Sequence, residues 1–117
     1  MTGTDDGRRD QDDLVQRVRE ALADREPREV RMFGGISFMV DDRMVAAARS
    51  GGNLLLRIDP DDNERLLREP GAEPAYMGAD REMGPGWITV RPDALAGDRL
   101  REWLTPALEF HAAQGAG

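Results

Sequence analysis

The chain has 117 residues, of which 33% are charged and 39% hydrophobic, and its net charge is −7. That length holds one domain with a single modest core and is too short for two. The absence of cysteine excludes disulfides, thiolate metal centres and cysteine nucleophiles, and the acidic total disfavours direct nucleic-acid binding, which needs a basic footprint.

All 16 basic residues are arginine. A coding bias toward Ala, Gly, Asp and Arg accounts for this, and its functional counterpart would be an arginine surface for phosphate or carboxylate groups. No apolar run approaches the roughly 18 residues of a membrane span, and the first residues lack the apolar stretch of a signal peptide. The expectation is a soluble, cytoplasmic protein with no membrane contact.

Residues 1–10 are polar and aperiodic, which predicts a disordered lead-in. Leu14, Val15, Val18, Ala21 and Leu22 then recur at helical spacing, predicting a helix from about Asp12 to Asp24 with Gln16, Arg17, Arg19 and Glu20 toward water. Pro27 ends it, and the period changes to that of strands. Val30–Phe33 and Ile36–Val40 flank Gly34-Gly35, a pair that can take positive φ in a hairpin turn or bulge. Phe33, Ile36 and Phe38 are the core candidates here.

Met44–Arg49 predicts a third strand, its alanines suited to close packing beneath a helix. Ser50-Gly51-Gly52-Asn53 is a turn, and Leu54–Ile58 a strand with Leu54, Leu56 and Ile58 on one face and Leu55 and Arg57 on the other. Asp59-Pro60 opens a short helix that buries Leu66 and Leu67 and stops by Pro70-Gly71. Residues 71–86, rich in glycine and proline, read as irregular. Trp87–Val90 is a last strand, and a helix from about Asp98 carries Leu100, Trp103, Leu104, Ala107 and Leu108, with Pro106 inside it kinking it or tightening its first turns. Residues 114–117 should fray.

The order is helix, strands, helix, strands, helix. Short hairpin connections require an antiparallel sheet, and about three amphipathic helices must cover it, giving a two-layer α+β domain over residues 11–113.

Chemistry-bearing groups are sparse. His111 is the one histidine, so no histidine triad or multi-histidine metal site can form; expected in the last turn of the closing helix, it suits a surface or capping role. Ser37 follows two glycines but lacks the glycine two positions later that a nucleophile elbow requires. The acidic run Asp59–Glu64 lacks the central glycine and placed glutamate of a calcium loop and fits helix capping instead. No catalytic, cofactor or metal residue is assigned. The candidate interaction surface is Arg31, Arg57 and Arg91, with Arg49 beside them, as a basic patch on an open sheet face for an acidic partner. The alternative is a small-molecule site or enzyme using the 71–86 loop, with Tyr76, Met77, Met83 and Trp87 as an apolar wall.

The stretch Met32-Phe33-Gly34-Gly35-Ile36-Ser37-Phe38-Met39 resembles the Met-Phe-Gly-Gly-x-Gly-Phe-Met/Leu signature of the TfoX/Sxy family N-terminal domain. Leu54–Arg57 with Asp59-Pro60-Asp61, Glu69–Pro74, Gly86–Val90 and Glu102–Leu104 are similar to its later landmarks, so the resemblance spans most of the chain. Met32, Phe33, Gly34, Gly35, Phe38 and Trp87 are its structural signature here. Ser37 replaces the usual glycine, and Gly84-Pro85-Gly86 stands where a basic residue usually precedes the tryptophan. Fuller regulators carry a second helical domain; this sequence ends without one, so a stand-alone domain is expected. The resemblance implies a secretion-chaperone-like α+β fold and a non-enzymatic protein tied to transcription or competence through protein contacts; with the absence of catalytic groups, the acidic total and the open sheet face, the expectation is a regulatory module acting through a protein partner or its own dimer, with no cofactor.

Overall fold

The computed structural model describes residues 3–32, 35–77 and 80–116. Helix α1 (Gly3–Ala21) buries Leu14, Val15 and Val18 along one stripe, and Leu22 is buried just past its end. The helix thus reaches back through most of the segment expected to be a disordered lead-in, and its α-helical part stops at Ala21 rather than Asp24. Once a packed stripe has nucleated a helix, each further residue adds a hydrogen bond at low cost. A short 3₁₀ turn, Ala23–Arg25, and Glu26 at φ 50° reverse the chain before Pro27.

Among the described residues eight strands follow: β1 (Arg28–Met32), β2 (Gly35–Val40), β3 (Arg43–Arg49), β4 (Leu54–Arg57), β5 (Ala72–Pro74), β6 (Tyr76–Met77), β7 (Arg81–Glu82) and β8 (Trp87–Val90). Six form an antiparallel sheet in the order β1-β2-β3-β4-β8-β5, and β6 and β7 make a separate ribbon. The segment 71–86, expected to be irregular, therefore contributes three short strands. Their two- and three-residue lengths carry too little alternation to signal a strand, and the pairing offered by β8 decides β5.

The register divides the sheet into two faces. Glu29, Phe38, Ala46, Leu56, Ile88 and Pro74 lie in one cross-strand row; Arg31, Ile36, Ala48, Leu54, Val90 and Ala72 lie in another. Both rows belong to the helix-bearing face. Between them runs Val30, Ser37, Ala47, Leu55, Thr89 and Glu73, which must point the opposite way because side chains alternate along a strand.

On the helix-bearing face α1, α2 (Asn63–Leu67) and α3 (Arg99–Ala116) cover one core of Phe38, Leu54, Leu56, Ile58, Ile88, Val90, Leu100 and Leu104, with Leu66 of α2 joining it. Val45 to Ala48 are fully buried, and the small side chains let α1 and α3 approach β3 as expected. The pairing of β2 and β3 slips between Phe38 and Met39, leaving Val45 without a partner in β2 and turning both Val45 and Ala46 toward this core.

Gly35 ends up inside β2, paired with Arg49, and its neighbours Phe33 and Gly34 lie outside the described residues. What Gly35 supplies is space: a Cβ there would run into the backbone carbonyl of Ala48. Ahead of α2, Asp59 Oδ1 accepts the Asp61 amide at 2.9 Å, so the expected helix start is present, first as a 3₁₀ turn over Pro60–Asp62. Pro106 sits within α3 and leaves the Glu102 carbonyl without its usual donor. α3 continues to Ala116, through positions expected to fray.

Two side chains expected at the surface tie elements together. Arg17 is half-buried and donates to the carbonyls of Leu95 and Gly97, fixing the approach to α3 against α1. His111 is not in the last turn of its helix; it is half-buried and its Nε2 lies 2.7 Å from the Val40 carbonyl, to which only a protonated nitrogen can donate. Among the described residues no helix is long and apolar enough to cross a membrane.

Candidate interaction surface

The structure does not assemble the expected arginine patch. Arg31 occupies a helix-side row on β1, whereas Arg57 follows Leu56 and pairs with Trp87 on the opposite face. Arg49 and Arg91 lie near the far end of the sheet from Arg57, since Leu54 pairs with Val90 and the Arg49 amide bonds Asn53. Three residues of strand, roughly 10 Å, separate the two ends. A run of arginines at similar strand positions does not make a patch when alternation and strand direction scatter them.

Each of the second-face arginines also has a local partner. The Arg57 guanidinium lies 4.7 Å from the Trp87 ring centroid and 5.4 Å from that of Phe110, bridging β8 and α3. Arg91 approaches Glu73 at 3.8 Å and Asp93 at 3.5 Å. Arg49 Nη1 donates to the Tyr76 carbonyl at 3.1 Å and so holds the β6–β7 ribbon to the sheet.

That ribbon covers part of the second face. Ala47, Leu55 and Ala75 form a small buried cluster, flanked by Met44, Met83 and Trp87. The Met83 amide donates to the Ala75 carbonyl at 2.8 Å and closes the ribbon's base. Tyr76 and Met77, by contrast, are each 42% exposed. The four residues expected to wall a ligand site thus divide, Met83 and Trp87 toward the sheet and Tyr76 and Met77 toward solvent. Among the described residues no group of three or more His, Asp or Glu side chains could hold a metal ion.

Toward β1, among the described residues, the second face is left uncovered, and apart from Arg28 it is apolar. Val30, Met39 and Met44 are half-buried, and Met32 is exposed. Ser37, in the same row as Val30, is fully buried and donates from its hydroxyl to the Met32 carbonyl at 3.2 Å, which removes it as a free nucleophile. On the ribbon, Tyr76 and Met77 are further exposed apolar groups. Sequence patterning missed these apolar groups because they come from three strands and a ribbon; the signal that was present is apolar residues on both faces of β1 to β3.

The fold thus defines a two-layer α+β domain, three helices on one face of an antiparallel sheet and a short ribbon on part of the other. The family model described as TfoX N-terminal domain matches residues 20–111, and the chain belongs to that family. Among curated proteins none matches the chain. A crystal structure of a protein from Pseudomonas syringae is similar in fold, with a TM-score of 0.55 and 17% identity, covering 80% of this chain and 93% of that one.

Proposed function

We propose that this domain is a non-enzymatic regulatory module that docks a partner protein on the uncovered part of its second sheet face. The observation that carries this is the exposure of apolar side chains: Met32 on β1 and Tyr76 and Met77 on the ribbon are the exposed large hydrophobics among the described residues, and Val30, Met39 and Met44 are half-buried on β1 to β3. Exposed apolar surface of this kind marks binding sites, and methionine adapts its shape to the surface it meets. The partner's contact segment is apolar, and the domain's net charge of −7 favours a partner with basic flanks over nucleic acid. The regulatory setting comes from the family.

The test replaces Met32 and Met77 together with serine, which leaves the buried core intact. A partner that the wild-type chain captures reproducibly, once purified, should bind the double variant at least about tenfold more weakly while the melting temperature is unchanged. Equal binding by a folded variant removes this surface from the proposal.

A further inference from the structure

The two edges of the sheet differ. The β5 edge is three residues long and ends on Pro74, which has no amide to offer. The β1 edge is five residues long, contains no proline, and four of its residues are exposed. One side of β1 is bonded to β2, and among the described residues no strand pairs with the other.

We propose that β1 pairs antiparallel with β1 of a second copy of this chain, in the register centred on Val30, joining two six-stranded sheets into one. The proposal rests on the interaction-module reading and names a partner for the edge next to the apolar surface.

Charge selects the register. A twofold axis normal to the sheet keeps the same face of both copies on the same side, so opposed residues must share a face. Centring on Glu29 sets that carboxylate against its own copy, and centring on Arg31 does the same with two guanidinium groups; like charges directly opposed are unfavourable. Centring on Val30 sets Glu29 against the partner's Arg31 and Arg31 against the partner's Glu29. It also sets Val30 against its own copy and Arg28 against the partner's Met32. This is the register that uses all five residues. Charged edges usually prevent pairing; the order Arg-Glu-Val-Arg-Met disfavours the two neighbouring registers by like charge and favours the one centred on Val30.

The side chains are placed for it. Both oxygens of Glu29 are held by Arg19, at 2.7 and 2.8 Å, so the carboxylate is fixed, and each oxygen retains a further lone pair. Among the described residues Arg31 has no ion-pair partner. The pairs form on the helix-bearing face, while on the other Val30 meets its own copy and Met32 lies against the aliphatic stem of the partner's Arg28.

The test is the mass of the full chain in solution, by sedimentation equilibrium, for wild type, Arg31→Glu and Glu29→Arg. Wild type should be dimeric, and each variant should dissociate about tenfold more readily because two attractive pairs become repulsive. An equimolar mixture of the two variants should re-form the dimer, since the carboxylates of one chain then face the guanidinium groups of the other. Arg31→Glu alters an exposed, unpaired side chain and carries the test alone should Glu29→Arg, which also loses Arg19, fail to fold. A monomeric wild type, or an Arg31→Glu dimer as tight as wild type, overturns the proposal. Partner binding that depends on Met32 and Met77 in a monomeric wild type would leave the functional reading standing while this inference fell.

Discussion

The Arg57 guanidinium lies 4.7 Å from the centroid of the Trp87 ring, directly across the β4–β8 pair, and the Phe110 ring closes on it from α3 at 5.4 Å. One cation thus joins the end of the sheet to the closing helix. Cation–π contacts of this kind contribute about 1 kcal/mol, and the arginine stem adds packing.

Arg57→Ser should therefore lower stability by about 1 kcal/mol, read as a shift in the urea midpoint. Arg91→Ser, whose exposed contacts are with Glu73 and Asp93, should leave it nearly unchanged. Equal effects of the two would show that the aromatic contacts contribute nothing.

Gly35→Val tests the close approach of β2 to β3. The added side chain meets the Ala48 carbonyl, a backbone atom that cannot rotate away. A loss of about 3 kcal/mol or failure to fold is expected. A variant as stable as wild type would mean that the strands can separate there at no cost.

Arg17→Ala removes both bonds to the carbonyls of Leu95 and Gly97. A loss of about 2 kcal/mol is expected, with amides near the start of α3 exchanging faster than those of β3. Uniform exchange across the chain would place the effect elsewhere.

The Arg19–Glu29 pair predicts a pH dependence. The hydrogen bond from Arg19 is the main cause holding the Glu29 carboxyl below its ordinary value; burial opposes it, and the opposite charge adds to it. A carboxyl depressed in the folded state stabilises the fold above its unfolded value, roughly pH 4.3, and that contribution is lost as pH falls through the folded value. Wild type should accordingly be slightly more stable than Arg19→Gln at pH 7, and the gap should close on acidification below about pH 4. A gap independent of pH would exclude the carboxylate as its source.

Much of the fold was legible in the residues. The stripe Leu14, Val15, Val18 and Leu22, the alternation of Leu54, Leu56 and Ile58, and the spacing of Leu100, Trp103, Leu104 and Ala107 predicted buried faces, and these residues are buried. Hairpin-length connections predicted the antiparallel sheet. The family signature around Gly35 also lay in the sequence, although the reason for the glycine did not: it lies in the neighbouring strand.

The surface was less legible. Arg31, Arg57 and Arg91 looked alike along the chain, yet one faces the helix side, one is held between two aromatic rings, and one pairs with nearby acids. Local patterning reports which way a residue points within its own element, because periodicity is a property of one segment. It does not report strand order, which end of the sheet a residue reaches, or which residues from a distant helix come to meet it. Amphipathic periods thus determined the elements and their inner faces. The pairing order β1-β2-β3-β4-β8-β5 decided the rest: the partly covered second face, the clamp on Arg57 and the open β1 edge. Those depend on contacts between residues far apart in the chain, which only the folded backbone brings together.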